Sequence, residues 1–157
     1  MRIASARHEE PAIPMRPESK VIELRPGVDA GSGIHLLGEW YGCGGHRELL
    51  DNSAQLSRLC LAAAKEAGMT VVGQLFHEFG QQGVTGTVLL TESHLTIHTR
   101  PDERSVMLDV YISRRTRGNR VKAHAVYMFL RGQLLPGKEN LLQVNRGSVA
   151  ETVHAPH

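Results

Sequence analysis

The chain has 157 residues and a formal net charge of +2, and its composition is 41% hydrophobic, 22% charged and 4% aromatic. This size is typical of one globular domain. The net charge is too close to neutral to indicate a basic surface that binds nucleic acid. No apolar run reaches the roughly 18 residues that a membrane-spanning helix needs. With two cysteines, Cys43 and Cys60, and no apolar signal-peptide core, we expect a cytoplasmic protein with free thiols that binds neither nucleic acid nor a membrane.

The first 32 residues differ from the rest of the chain. They hold four of the seven prolines and no aromatic residue, so they cannot bury enough apolar surface to offset the entropy of ordering. We expect 1–32 to be a flexible N-terminal arm, in which 21–24 can still add an edge strand. The domain itself is predicted over 33–142, and 143–157 is predicted to be a weakly ordered C-terminal tail.

The middle of the chain predicts an α+β fold. In chain order, the pattern indicates a strand over 34–41, a helix from about 51–53 to 68, strands over 70–79, 84–90, 94–99 and 105–113, and a helix over 120–130 that Asn119 caps. Apolar residues three and four apart are expected to face the sheet: Leu56, Leu59, Cys60, Ala63 and Ala67 in the first helix, and Val121, Ala125, Met128 and Phe129 in the second. Two helices on one face of a mainly antiparallel sheet form a two-layer α/β sandwich.

The histidines, cysteines and basic residues, each considered alone, are more consistent with structural roles than with a catalytic or binding site. His94 and His98 are predicted to lie on a strand, where a spacing of four makes no helical metal pair, and without a third ligand we expect no metal site. Cys60 falls on the apolar helix face, where an inert thiol is expected, whereas Cys43 lies in a glycine-rich turn that can expose it. The basic cluster within 114–122 is more consistent with a solvated loop than with an anion or nucleic-acid site.

The segment 83–99 differs from these isolated groups because it matches a long pattern. It reads Gly-Val-Thr-Gly-Thr-Val-Leu-Leu-Thr-Glu-Ser-His-Leu-Thr-Ile-His-Thr. As a whole it resembles the self-processing segment of the bacterial S-adenosylmethionine decarboxylases, whose run Glu-Ser-His-(Leu/Ile)-X-(Ile/Val)-His-Thr-Trp-Pro-Glu follows Gly-Val-Ser/Thr-Gly. The resemblance extends over roughly residues 33–130 and includes 70–79 and 108–111, which makes it far more specific than a short motif.

The resemblance implies a self-cleaving proenzyme. Ser93 would attack the preceding carbonyl group, and the cut between Glu92 and Ser93 would leave chains of 92 and 65 residues (157 − 92 = 65). Ser93 would become a pyruvoyl group, which forms a Schiff base with the substrate amine, so that neither a metal nor pyridoxal phosphate is needed. His98 corresponds to the processing base of the family, and Thr85 to the hydroxyl residue that assists processing.

Two positions depart from the family pattern. Ser113 stands twenty residues after Ser93, where the family has its proton-donating cysteine, and a hydroxyl is a poorer acid than a thiol near neutral pH. Arg100 stands where the family has a tryptophan that holds the substrate's adenine ring together with the aromatic residue matched here by Phe79. Asp102 in place of the family's glutamate is a milder change.

Three interpretations follow from these departures. The protein is a decarboxylase of S-adenosylmethionine that supplies the aminopropyl donor for spermidine, or a pyruvoyl-dependent ornithine or arginine decarboxylase on the same scaffold, or a non-catalytic paralogue. The resemblance also implies a homodimer of cleaved protomers, with two active sites built across the interface.

Overall fold

The computed structural model describes residues 32–91 and 93–147, together with the backbone of 18–24. The strands are β1 (Glu18–Leu24), β2 (Gly33–Tyr41), β3 (Val71–Glu78), β4 (Val84–Leu90), β5 (Ser93–Arg100), β6 (Ser105–Ile112) and β7 (Lys138–Arg146). The helices are α1 (Glu48–Asp51), α2 (Ser53–Glu66) and α3 (Asn119–Leu134), and a 3-10 turn covers Gly80–Gln82. The strands form one sheet in the order β1-β7-β2-β6-β5-β4-β3, in which β1 and β7 are parallel and all other neighbours are antiparallel.

The helices pack on one face of this sheet and bury the core. Along β6, buried and half-buried residues alternate, as strand geometry requires when only one face is covered. Trp40 of β2, Leu56 and Cys60 of α2, and Leu130 of α3 are fully buried in this layer. The expected two-layer α/β sandwich is therefore confirmed.

A chain of buried hydrogen bonds joins the helix layer to the sheet. Trp40 Nε1 donates to the Tyr127 hydroxyl at 2.8 Å, and that hydroxyl donates to Glu139 Oε2 at 3.1 Å. Arg131 Nε contacts both carboxylate oxygens of Glu139 at 3.0 Å. Burial raises the pKa of Tyr127, so the hydroxyl stays protonated and available to donate. These hydrogen bonds hold α3 against β2 and β7.

The other face of the sheet is not covered by any helix among the described residues, and we call it the open face. Its side chains are half-buried or exposed, and many of them are polar or titratable. On the four central strands they are His35, Leu37 and Glu39 of β2, Thr85, Thr87 and Leu89 of β4, His94, Thr96 and His98 of β5, and Met107, Asp109 and Tyr111 of β6. The predicted site residues Thr85 and His98 therefore lie on this face, and Arg100 and Ser113 lie at the ends of its strands.

Most predicted elements are present with small shifts. Asn52 caps α2 by accepting a hydrogen bond from the Gln55 backbone N–H at 2.9 Å, within the range predicted for the helix start. The predicted edge strand at 21–24 is part of β1, and 1–17 and 25–31 lie outside the described residues. The single turn α1 is absent from the sequence prediction.

The structure corrects the predicted C-terminal tail and shows that Cys43 is not exposed. β7 continues to Arg146, so 143–146 belongs to the sheet and not to a weakly ordered tail, while 148–157 lies outside the described residues. Cys43 is fully buried, because two hydrogen bonds to Arg104 hold its turn in place. Arg104 Nε donates to the Cys43 carbonyl at 2.6 Å, and the Cys43 N–H donates to the Arg104 carbonyl at 2.9 Å.

The predicted face and cap of the second helix are also wrong. Val121 and Met128 are 75% and 55% exposed, and the buried side is formed by Ala123, Val126, Tyr127, Leu130 and Leu134. Tyr127 decides this rotation, because its hydroxyl reaches distant partners on β2 and β7 that the local pattern does not reveal. Asn119 is the first helical residue and Gly118 the cap, while the Asn119 side chain donates to the Ser32 carbonyl at 2.9 Å.

Candidate active site

The predicted site residues gather at opposite ends of β5. Ser93 is the first residue of the strand and Arg100 the last. At about 3.3 Å per residue, the Cα atoms of Ser93 and His98 are about 16 Å apart along the strand. The chain therefore carries two separate groups, which we call the Ser93 half-site and the His98 half-site.

The Ser93 half-site lies at a tight hairpin between β4 and β5. Leu90 pairs with Ser93, so only two residues, Thr91 and Glu92, separate the two strands in sequence, and Glu92 lies outside the described residues. Ser93 is half-buried, and its hydroxyl donates to the Thr91 carbonyl at 3.4 Å. On its other side Ser93 pairs with Ile112, the last residue of β6, so Ser113, which follows Ile112 in the chain, lies beside the start of β5.

A cavity of about 320 Å³ opens beside this half-site. Its lining residues are Tyr111, Ser113, Arg114, Arg115, Arg146 and Gly147. The Arg146 guanidinium lies 4.7 Å above the Tyr111 ring, and one of its nitrogens is 3.4 Å from His35 Nδ1. The sequence pattern favours a solvated loop for Arg114 and Arg115 and indicates no role for Arg146. The only early signal for this cavity was the alternation that puts Tyr111 on the face away from the core.

Three aromatic rings of the open face cluster next to this cavity. The His35 ring centroid is 6.1 Å from that of His94 and 5.7 Å from that of Tyr111, and His94 and Tyr111 are 5.6 Å apart. His35 Nε2 is 3.5 Å from Asp109 Oδ1, too long for a good hydrogen bond. Burial lowers the pKa of His35, and this outweighs the opposite effect of the Asp109 carboxylate.

The His98 half-site brings four predicted residues into one cavity of about 420 Å³. Thr85 Oγ1 is hydrogen-bonded to His98 Nδ1 at 3.0 Å, because these two residues are a cross-strand pair. Phe79 and Arg100 line the same cavity. Gln82 and Met107 also line it, although no sequence motif points to either residue.

The two residues expected to hold an adenine ring have other neighbours. Phe79 is 51% exposed and packs edge-to-face on His77, with ring centroids 4.5 Å apart. Arg100 forms an exposed ion pair with Glu103, with Nη1 and Oε1 3.4 Å apart. Such an exposed pair contributes little to stability, so it leaves the guanidinium available for a ligand.

Neither cysteine is placed for chemistry. Burial raises the pKa of Cys43 to about 11 and that of Cys60 to about 12, so both remain thiols at neutral pH. Among the described residues there is no group of three His, Cys, Asp or Glu side chains that could hold a metal ion. The helices of that same part of the chain include none that is long and apolar enough to span a membrane.

Comparisons with known proteins agree with this geometry. The family model for S-adenosylmethionine decarboxylase matches residues 34–147. The chain is 32% identical to the S-adenosylmethionine decarboxylase proenzyme of Methanococcus maripaludis strain C5, covering 74% of this chain and 91% of that protein. It is 34% identical to the proenzyme of the same name from Caldicellulosiruptor saccharolyticus, covering 77% of this chain and 93% of that protein.

A solved structure extends the likeness to the fold. The adenosylmethionine decarboxylase of Aquifex aeolicus superimposes with a TM-score of 0.68 at 30% sequence identity, covering 77% of this chain and 95% of that one. Residues 34–147, which the family model matches, contain both half-sites and the whole helix layer. The chain therefore belongs to the S-adenosylmethionine decarboxylase family.

Proposed function

We propose that this decarboxylase cleaves itself at Ser93 and works with the pyruvoyl group so formed, with S-adenosylmethionine, the compound in its relatives' names, as the reference substrate. The observation that carries the proposal is the place of Ser93 at the start of β5, directly after a two-residue turn and beside Ser113. The hydroxyl contact to the Thr91 carbonyl, at 3.4 Å, is long for an O–H···O hydrogen bond. Turning the hydroxyl toward the neighbouring peptide therefore costs little.

The cleavage proceeds in steps that need only this chain and water. Ser93 Oγ adds to the Glu92 carbonyl carbon and the peptide C–N bond breaks, so an ester replaces the amide. A base then removes the α-proton of residue 93, and the Glu92 carboxylate leaves. Water replaces the nitrogen, which departs as ammonia, and the second chain begins with a ketone. We assign His98 as the base and Thr85 as the hydroxyl that orients it through the 3.0 Å hydrogen bond.

The pyruvoyl group, once formed, supplies an electron sink for decarboxylation of an amine-bearing substrate, without a metal or pyridoxal phosphate. The protein's own task is then to hold the substrate and to return a proton to its α-carbon. Ser113 is next to residue 93 and lines the adjoining cavity, so we assign it, directly or through a water molecule, to this proton delivery. Phe79 and Arg100 are assigned to substrate binding.

These assignments require two copies of the chain. Ser93 and His98 are about 16 Å apart on one strand, so His98 cannot reach its own Ser93. A two-fold axis across the open face would place the His98 half-site of one protomer over the Ser93 half-site of its partner, and the reverse. The absence of a helix on this face among the described residues leaves the surface that such a homodimer needs.

Two departures favour a second candidate substrate, ornithine or arginine. Arg100, in place of an aromatic ring, pairs with Glu103, so one side of an adenine clamp is missing. Stacking on one aromatic partner is worth about 1–3 kcal/mol per base, so adenine affinity would fall roughly ten-fold or more. Ser113 also lacks the acidity of a thiol.

Release of labelled CO2 tests the proposal and separates the candidates. Purified protein would be incubated with carboxyl-labelled S-adenosylmethionine, ornithine or arginine, with Ser93→Ala as the inactive control. Release from S-adenosylmethionine would place the protein in the synthesis of the aminopropyl donor for spermidine. Release from ornithine or arginine alone would establish the second candidate. A chain that neither cleaves nor decarboxylates any amino acid would contradict the proposal and establish a non-catalytic paralogue.

A further inference from the structure

The cavity of the His98 half-site is lined in part by the short loop between β3 and β4. This loop carries Phe79 and Gln82, and both residues line the cavity of about 420 Å³. Arg100, at the end of β5, lines the same cavity. An exposed aromatic ring, an amide and a guanidinium group therefore border one space, whose volume is within the range of small-ligand sites.

Backbone contacts fix this loop against β5. The Phe79 N–H donates to the Gly83 carbonyl at 2.8 Å, and the Gln82 N–H donates to the Phe79 carbonyl at 3.2 Å. The Val84 N–H donates to the Thr99 hydroxyl at 2.9 Å. Gly83 has a φ of +110°, and a Cβ atom there would collide with the Thr99 carbonyl oxygen, so only glycine lets the loop approach β5 this closely. The loop therefore presents its side chains to the cavity from a fixed position.

Gln82 differs from the other polar side chains of this cavity because its amide has no partner in the described part of the chain. Its neighbours in the cavity, apart from Arg100, are already hydrogen-bonded within the protein: Thr85 and His98 to each other, Thr99 to the Leu50 carbonyl, and Ser105 to Glu103. Gln82 is exposed, and its side chain forms no hydrogen bond with any described residue. The amide thus keeps one acceptor oxygen and two N–H donors for a ligand.

This amide is complementary to the edge of an adenine ring. Adenine carries an exocyclic amino donor next to a ring-nitrogen acceptor, and a glutamine amide can accept from the first while it donates to the second. The exposed Phe79 ring offers a face on which the same base can stack. Stacking tolerates any base, so selectivity for adenine requires a hydrogen-bonding group of this kind.

We infer that Gln82 is a specificity-determining residue, whose side-chain amide binds the amino edge of the substrate's adenine ring in the His98 cavity. The inference rests on the proposed function and deepens it by naming the residue that makes binding depend on the adenine amino group. Ornithine and arginine carry no such ring, so this role is specific to S-adenosylmethionine.

Two nucleosides that cannot be decarboxylated test this inference on the purified wild-type protein. The first is methylthioadenosine, which has the adenosyl group and the sulfur atom of the substrate but no amino acid. The second is the same nucleoside with hydrogen in place of the exocyclic amino group. Calorimetric titration at constant ionic strength gives the Kd of each, and the intact mass of the same sample records whether the chain is cut. We expect the first nucleoside to bind about ten-fold more tightly than the second.

Gln82→Leu should lower this preference to less than about two-fold, because leucine has a similar size but no hydrogen-bonding group. Gln81→Leu is the matched control. Gln81 is the neighbouring glutamine, it is also exposed, and it is not among the lining residues of the cavity, so the preference should stay at about ten-fold. Since both side chains are exposed, both variants should unfold at the wild-type urea concentration.

Four results would overturn the inference: no binding of methylthioadenosine, equal binding of the two nucleosides by the wild-type protein, a preference that survives in Gln82→Leu, or the same loss in Gln81→Leu. A wild-type protein that stays uncut but shows the preference that depends on Gln82 would instead overturn the proposed function and leave this binding result standing. A protein that cleaves itself but binds both nucleosides equally would overturn the inference alone.

Discussion

Two inactive variants should restore cleavage to each other when they share a dimer. Ser93→Ala removes the attacking hydroxyl, and His98→Ala removes the assigned base, so neither variant alone should be cut. Because about 16 Å of β5 separates these residues, we expect the base to act on the partner's serine. A mixed dimer would then hold one complete pair, made of Ser93 from the His98→Ala chain and His98 from the Ser93→Ala chain.

The expected yield follows from the two-fold symmetry. With equal expression and random pairing, about half of the dimers are mixed, and each has one complete site, so about one quarter of all chains should be cut. Intact-mass measurement under denaturing conditions distinguishes the variants, and only chains carrying His98→Ala should appear as two pieces.

The matched control replaces the Ser93→Ala chain by the double variant Ser93→Ala/His98→Ala, which can offer no base and should give no cut chain. The reasoning would be refuted by mixed samples that stay uncut while wild-type protein is fully cleaved. Cleavage of His98→Ala on its own would refute the role of His98 as the base.

Three further predictions concern single groups. Thr85→Val should slow self-cleavage roughly ten-fold or more, since it removes the hydrogen bond that orients His98. Thr85→Ser and the open-face control Thr87→Val should cleave at nearly the wild-type rate. Intact mass measured against time gives the cleavage rate of each variant. Tyr127→Phe should lower the free energy of unfolding by about 2–4 kcal/mol in urea denaturation, because a buried indole N–H loses its acceptor, while Tyr41→Phe should change it by less than about 0.5 kcal/mol. Both cysteine thiols, with pKa values of about 11 and 12, should resist alkylation at pH 8 in the folded protein and react on unfolding; rapid alkylation before unfolding would contradict their burial.

The local sequence pattern was sufficient to predict an element where the residues that pack against it are close in sequence. The apolar residues over 105–113 alternate with the others and form the buried face of β6, and α2 begins at Ser53, within the predicted range of 51–53. The twenty-residue spacing between Ser93 and Ser113 has a simple structural cause. β5 and β6 are an antiparallel pair in which Ser93 is opposite Ile112, so the hairpin returns residue 113 to the start of β5.

The pattern failed where distant partners decide the structure. β7 is polar and looks like a tail, but it lies between β1 and β2, and its Glu139 is buried against Arg131 of α3. The rotation of α3 depends on the Tyr127 hydrogen bonds to two separate strands. The arginine cavity could not be predicted either, since Arg146 reaches it from a strand that the sequence did not reveal.

Self-cleavage at residue 93 is the central claim, and the intact mass of the purified wild-type protein under denaturing conditions tests it most directly. We predict two chains, of 92 and 65 residues (157 − 92 = 65), the second blocked to Edman degradation at its first residue, whereas Ser93→Ala remains a single chain of 17.3 kDa. A wild-type protein that is still a single chain of 17.3 kDa after prolonged incubation would contradict the claim.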